Sequence, residues 1–538
     1  MGGDAMASDD ASRSGRRREQ QLWRWSALLF FVALASWALA VPLFTGSDES
    51  AHAIRAAAVV RGQPVGGPGI SFGDYQNVLV EVDVPEAYAL AQETDDCFPG
   101  RQRGATFGNL HTPRIQECPP FDGGSARVPV QTYEQRGQPL FYGLVGLPTL
   151  VFPAETGVYL MRIVNAAVCA AFLASACVSA MRLRRRRLVT VALCAAITPE
   201  ALYLGGTVNS GGLEIASGLC LWTSGLALVR GHGPVDPRLV ARTGLSLVVF
   251  VLARGFSPIY ALVAGLALLA VAERGRVRAL LARTDVRTWL GSGAIAALAS
   301  GAWLLMIHDR LPLTERPGSG IGHATRELPW FVQQAVGVFG FNDVIPPMGL
   351  ALLWSGVVVA VVAVALGGAT ARDRAVVLAL AACAFALSVS AEGFSFPPTG
   401  FFWQGRYVLP LLMGCVVAAA AVADGRPRAR VPSARASGVG ALVLLVILHA
   451  WAFTYALRHY TVGPDGTIDP IRVLLDPEWS PRYGPPWLFA TAFTTAVAGA
   501  AALLWREASR DAGSALGDQT AGGSYVLATT TGPGTRTR

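Results

Sequence analysis

The sequence predicts an all-α polytopic membrane protein of about twelve transmembrane helices, with a large extracytoplasmic loop after the first. Three observations carry this. Of 538 residues, 52 % are hydrophobic and 15 % charged, and the mean hydropathy is +0.42. An average soluble protein carries about 25 % charged residues, so a globule this large would lack polar surface. The apolar residues come in runs near the roughly 20 that cross a hydrocarbon core. The basic residues cluster between those runs, at 16–18, 184–187, 274–278 and 426–430, as cytoplasmic loops do. The net charge of +8 and pI near 9.2 therefore report membrane orientation, with no nucleic acid as partner. The chain has no Lys, which the codon bias of a GC-rich genome explains without a functional need.

The first span is 25–44, preceded by Arg16, Arg17, Arg18 and Arg24. Ala38-Leu39-Ala40 also fits a signal-peptidase site, but the stretch is longer than a usual signal-peptide core and more spans follow. A polar stretch, 45–138, leads to a short apolar run at 139–152 of about 14 residues, too short to cross. Were it to cross, the densest Arg cluster, at 182–187, would lie outside, against the positive-inside rule. It is read as an interfacial or re-entrant helix. Spans follow at 157–181, 188–205 and 213–229. The run 245–272 has Arg-rich flanks on both sides and must cross twice, so a hairpin broken around Arg254-Gly255-Phe256-Ser257-Pro258 is expected. The remaining spans are 289–307, 348–366, 375–390, 407–423, 439–455 and 486–505.

This places both termini in the cytoplasm and divides the chain into a membrane domain, 22–506, and two tails. The tails, 1–21 and 507–538, are rich in Gly, Ser, Thr and Arg and are expected to be disordered. The external segments are 45–156, 308–347, 392–406 and 457–485. The first holds thirteen acidic residues against seven Arg, enough chain for a subdomain. Cys97 and Cys118 lie in it and are the natural disulfide pair in an oxidising exterior. The other six Cys sit in apolar runs as small hydrophobes, and no Cys/His metal spacing occurs. Function is expected on the outer face.

The first external residues run Phe44-Thr45-Gly46-Ser47-Asp48-Glu49-Ser50-Ala51-His52-Ala53-Ile54-Arg55. Ser47 reads as a helix N-cap with Asp48 and Glu49 in the first turn, where acids satisfy free N–H groups and the helix dipole. The same spacing puts Asp48, His52 and Arg55 on one face, where an acid, an imidazole and a cation can hold a metal or serve as general base.

Asp48-Glu49-x-x-His52-x-x-Arg55-Ala56 resembles the opening signature of a bacterial membrane-protein family, domain of unknown function 2142. Further resemblances follow in order: Gln138-Pro139-Leu140-Phe141-Tyr142 to a Pro-Pro-Leu-Tyr-Tyr element, Gly206 to Asn209 to a Gly-x-x-Asn turn, Gly340 to Pro346 to a Gly-Trp-x-Asp-x-x-x-Pro segment, and Gln404-Gly405-Arg406-Tyr407-Val408-Leu409-Pro410 to a Gln-Gly-Arg-Tyr-x-x-Pro element. Gln138 and Phe341 depart from the pattern, and Gly211 stands where an acid is expected, with Glu214 one turn later. The family resembles the GT-C glycosyltransferases. The resemblance implies a bacterial plasma-membrane protein with a GT-C-like fold, a polyprenyl-phosphate sugar donor, an envelope glycan acceptor, and Asp48 or Glu49 as catalytic base, with Asp48 also the candidate ligand of a divalent metal.

Under that reading, Arg406, at the outer end of a span, offers a planar fork to a phosphate, with Gln404, Tyr407, His52 and Arg55 as further substrate-binding candidates. An interfacial Arg reaching for headgroups is the bland account of Arg406. Arg162 and Arg254 lie deeper, where a charge costs about 2.5–3.5 kcal/mol and must be paired. Glu200, Glu214 and Glu392 are the expected partners. His323, Arg326, Trp330, Tyr460 and Tyr483 read as interface anchors. Two other functions stay open: a transporter or flippase of a lipid-linked or anionic substrate, and a non-catalytic scaffold.

Overall fold

A computed structural model of the chain describes residues 2–68, 79–96, 121, 123–134, 137–231, 233–307, 320–395, 403–423, 434–463 and 466–521. Among them, eight helices are long and apolar enough to cross a membrane: Arg13–Ala40, Ala154–Ala180, Ser210–Arg230, Thr284–Met306, Met348–Gly367, Ala371–Phe394, Arg435–Val462 and Pro486–Arg510. A ninth is made by Arg186–Ala196 and Pro199–Gly206 if that pair, bent by 60°, is one span. Two further expected spans hold shorter apolar helices. The run 245–272 takes in the end of Pro237–Val251 and all of Ser257–Val271, broken over 252–256, and 407–423 is a 3-10 turn, Gly405–Val408, continuing into Leu409–Ala421.

The helix Ser210–Arg230 is the central pillar. Every residue from Ser210 to Val229 is buried, and it packs on Ala154–Ala180, Pro237–Val251 and Leu409–Ala421. Glycine sets the closest of these approaches: Gly414 lies flat against the indole of Trp222, which donates to the Pro410 carbonyl at 3.0 Å. Thr284–Met306 and Met348–Gly367 are peripheral and turn leucine outward, Leu305 being 80 % exposed and Leu352 65 %, as a lipid-facing wall would.

The first loop departs from an all-helical fold. The strands β1 (Gly67–Pro68), β2 (Val80–Pro85) and β3 (Arg127–Thr132) form an antiparallel sheet in that order, with Val80 opposite Thr132 and Pro85 opposite Arg127. In β2 Val80, Val82 and Val84 are buried while Glu81 and Asp83 face out, the period of two that a half-buried strand needs. The sheet packs on the helices Glu49–Val59 and Ala87–Asp96. Cys97 and Cys118 lie outside the described residues.

The short apolar run is a seven-residue helix, Pro139–Val145, followed by a 3-10 turn, Leu147–Leu150. Leu140, Leu144, Leu147, Leu150 and Val151 are exposed while Phe141, Tyr142 and Val145 are buried, the two-faced pattern of an element lying in an interface. Helix covers Gly2–Ala40 and Pro486–Ala521, and Glu19 holds Arg182 and Arg242 while Arg18 meets Glu507. Such pairs convert part of each polar tail into an extension of a span.

One buried ion pair joins the first loop to the spans. The Arg162 guanidinium takes both Glu49 carboxylate oxygens, Nε at 2.7 Å and Nη2 at 2.5 Å. Its remaining donors go to the carbonyls of Ala38, Val41 and Pro42 at 2.7–2.9 Å, the unwinding C-terminal end of the first span. Glu49 in turn accepts from the backbone N–H groups of Phe44, Gly46 and Val208. Both side chains are fully buried. Breaking such a pair strands the surviving charge, at a cost of about 3–5 kcal/mol. Arg162→Leu should therefore lower the melting temperature of detergent-purified protein sharply, and Glu49→Gln with Arg162→Met should cost less than the sum of the single changes, because the two residues share one interaction. Additive losses in a thermal-unfolding double-mutant cycle would contradict the coupling.

Candidate functional site

The site is built around the turn that enters the helix Glu49–Val59. Asp48 sits at its N-cap position with φ 59° and ψ 16°, a left-handed conformation that Asp tolerates better than most residues. The expectation that Ser47 caps this helix is corrected: its hydroxyl donates to the Gly340 carbonyl and accepts from Arg406 at 2.7 Å. The left-handed turn thus aims the Asp48 carboxylate outward while Glu49 turns into the core.

The Asp48 carboxylate is held from two sides. Tyr133 donates its hydroxyl to one oxygen at 2.9 Å, and Arg406 donates to the other at 3.0 Å. The side chain stays 27 % exposed while that of Arg406 is buried. Glu49 differs in kind. Burial raises its pKa, but the Arg162 charge and hydrogen bonds outweigh that and hold it below the usual carboxylate value. With every oxygen engaged it is a structural ion, and of the two acids only Asp48 faces an opening.

Arg406 is delivered by the segment 404–407, locked in place by backbone contacts. Gly405 donates to the Gln334 side chain at 2.8 Å, and a Cβ at Gly405 would overlap the Phe331 carbonyl. Gln334 in turn donates to Asn342 at 3.2 Å, tying this segment to the 340–346 turn. Tyr407 lies between two cations, with the Arg254 guanidinium 4.6 Å and that of Arg406 5.5 Å from its ring centre. Arg254 comes from the break between Pro237–Val251 and Ser257–Val271, and its nearest carboxylate is Glu214 at 3.9 Å, itself held by Ser257 at 2.6 Å. Two guanidiniums against one aromatic ring, beside a partly exposed carboxylate, bring positive charge and a hydrogen-bond acceptor together.

His52 and Arg55 face a second wall. His52 Nδ1 lies 2.8 Å from the Tyr142 hydroxyl, which donates to Glu134 at 3.1 Å. Assigning the protons along that chain makes His52 Nδ1 the donor to Tyr142. Burial lowers the His52 pKa against the pull of Glu134 and Asp48, and burial together with Glu134 lifts Tyr142 well above its ordinary value, so both stay neutral near pH 7. Arg55 is buried, donates to the Pro64 carbonyl, and lies 5.9 and 5.7 Å from the Tyr142 and Trp303 rings. Asp48, His52 and Arg55 therefore do not converge on one point. Among the described residues no three His, Cys, Asp or Glu side chains gather as a metal site would require.

All five sequence elements singled out above nonetheless meet here. Asn209 holds the Ser47 carbonyl at 2.8 Å while capping Ser210–Arg230. Gly340, at φ +65°, receives Ser47 and donates to Tyr203, and Tyr203 donates to the Thr45 carbonyl at 3.0 Å. Gln404 lies beside Arg406 with its buried Oε1 unbonded. Sequence reading did not assign Tyr133, Glu134 or Tyr203, and left Arg254 as a structural ion pair. For Tyr133 and Glu134 a signal was available, since they follow the alternation of β3 and lie just ahead of Gln138.

No curated protein matches the chain. It is similar to the crystal structure of ArnT from Cupriavidus metallidurans in the apo state, with 15 % identity, a TM-score of 0.38, and coverage of 90 % of this chain and 77 % of that one. Residues 29–415 match the family described as predicted membrane protein, domain of unknown function 2142. That match spans most of the chain and takes in every sequence element that builds the site, and the chain belongs to this family.

Proposed function

We propose that the protein is a glycosyltransferase that uses a lipid-linked, phosphate-bearing sugar donor at the membrane surface carrying Asp48. The observation that supports it best is the Asp48 carboxylate poised between Tyr133 and Arg406, with Arg254 also against the Tyr407 ring. In the reaction the acceptor hydroxyl attacks the sugar carbon bound to phosphate. The new glycosidic C–O bond forms, the C–O bond to phosphate breaks, the hydroxyl proton passes to Asp48, and the lipid phosphate leaves with the bonding electrons. Arg406 and Arg254 hold the leaving charge, as positioned cations do in transition states of this kind. A donor phosphate on Arg406 would also draw that guanidinium from Asp48. Losing an opposite charge makes a carboxylate more basic, so donor binding itself would ready the base. On this reading the chain is a bacterial plasma-membrane enzyme with an envelope glycan as acceptor.

A second reading, translocation of a lipid-linked substrate, is favoured by the 60° break between Arg186–Ala196 and Pro199–Gly206, because broken helices beside buried charges build transporter sites. Sugar transfer to a defined acceptor separates the two.

Purified protein supplied with a panel of polyprenyl-phosphate sugars and an envelope glycan acceptor, with and without divalent metal, should release polyprenyl phosphate. Asp48→Asn should reduce that turnover by about 10²–10⁴-fold, the usual worth of a general base, at unchanged melting temperature. Full activity in that variant would rule Asp48 out. Arg406→Gln and Arg254→Gln should weaken donor binding, and Tyr133→Phe, which removes one neutral hydrogen bond of about 0.5–1.5 kcal/mol, should slow turnover no more than about tenfold.

A further inference from the structure

The opposite end of the first helix carries a separate polar cavity. Arg16, Glu19, Trp23 and Arg24 recur at helical spacing and form one stripe. With Arg238 and Arg242 of Pro237–Val251 they line a cavity of about 310 Å³. Twenty-four residues of helix separate Arg16 from Ala40, so the cavity lies roughly 36 Å from the Asp48 end.

Arg24, Arg238 and Arg242 face this space beside Arg16, and the one carboxylate that lines it, Glu19, is already engaged. Glu19 pairs with Arg242 at 3.0 Å and with Arg182 at 2.7 Å, and Arg182 also holds Asp236 at 2.6 Å. Among the described residues Arg24 and Arg238 make no ion pair. The cavity is therefore a cationic socket whose internal anion cannot neutralise it. One turn deeper on each helix the surface becomes apolar. Leu28, four residues after Arg24, is 49 % exposed, and Leu245, three after Arg242, is 50 % exposed. A soluble anion would use the socket and leave that wall bare. A lipid would use both.

We propose that this cavity binds the phosphodiester headgroup of an anionic phospholipid, with the acyl chains lying along Leu28 and Leu245. The guanidinium fork matches a pair of phosphate oxygens, and Arg24 and Arg238, which make no ion pair among the described residues, select a net negative headgroup over a zwitterionic one. The lipid bridges the first helix and Pro237–Val251.

The test is a titration of delipidated full-length protein in detergent with short-chain phosphatidylglycerol, read by native mass spectrometry and thermal unfolding. One saturable lipid and a raised melting temperature are expected. Arg24→Ala with Arg238→Ala should weaken binding about 30-fold, while Arg278→Ala, an exposed arginine on another helix, should leave it unchanged. If the double variant does not fold, Arg24→Gln and Arg238→Gln taken singly should each weaken binding about fivefold. Equal binding of phosphatidylcholine, or binding indifferent to both arginines, overturns the proposal. Saturation by glycerol 3-phosphate at the same concentration also overturns it, because the occupant would then be a soluble anion.

Discussion

The Glu49–Arg162 pair is the constraint on which the Asp48 end of the molecule depends. The first span ends at Ala40 and the chain must turn sharply into the helix Glu49–Val59, which leaves the carbonyls of Ala38, Val41 and Pro42 without helical partners. Arg162 collects all three. The carboxylate that neutralises Arg162 also gathers the orphan N–H groups of Phe44, Gly46 and Val208. Backbone polar groups buried away from water must find partners, and here one ion pair satisfies six of them at the meeting point of three chain segments. Asp48 is the residue immediately before Glu49. Its direction is set by the fact that its neighbour is immobilised.

A division of labour between adjacent acids follows. Glu49 stabilises because it is fully buried and fully bonded, whereas Asp48 keeps part of its side chain exposed. The left-handed turn at Asp48 separates the two side chains. Phe44 and Asn342 adopt the same region of backbone space within the same cluster of turns. Conformations of this kind persist only where the surroundings dictate them and concentrate at functional sites.

The helical membrane fold and the sequence elements that gather at one end of it were legible in the sequence, because hydropathy acts residue by residue. So was the helix break at Arg254, which falls in an apolar run too short for two full helices. The distinct roles of Asp48 and Glu49 were not legible. One helical turn makes them look equivalent, and only the tertiary partners, Arg162 in one case and Tyr133 with Arg406 in the other, tell them apart. Arg254 and Arg162 looked alike for the same reason, as buried cations awaiting carboxylates. In the fold Arg162 is saturated, whereas Arg254 sits 3.9 Å from Glu214 and leans on Tyr407. The small sheet was overlooked although its alternation was plain, because a loop 112 residues long was read by its charge rather than its period.

The short helix Pro139–Val145 links the site to the bilayer itself. Its exposed leucines would settle at a fixed depth in the headgroup region, while Tyr142 on its inner side grips His52. The height of the Asp48 turn above the hydrocarbon is then set by how deeply a few leucines sink. A substrate whose reactive phosphate is tethered to a membrane-embedded chain arrives at nearly constant height. The element works as a gauge, matching the level of the protein's carboxylate to the level at which such a phosphate is presented. Lipids of different headgroup thickness would shift that match without touching a single residue of the site.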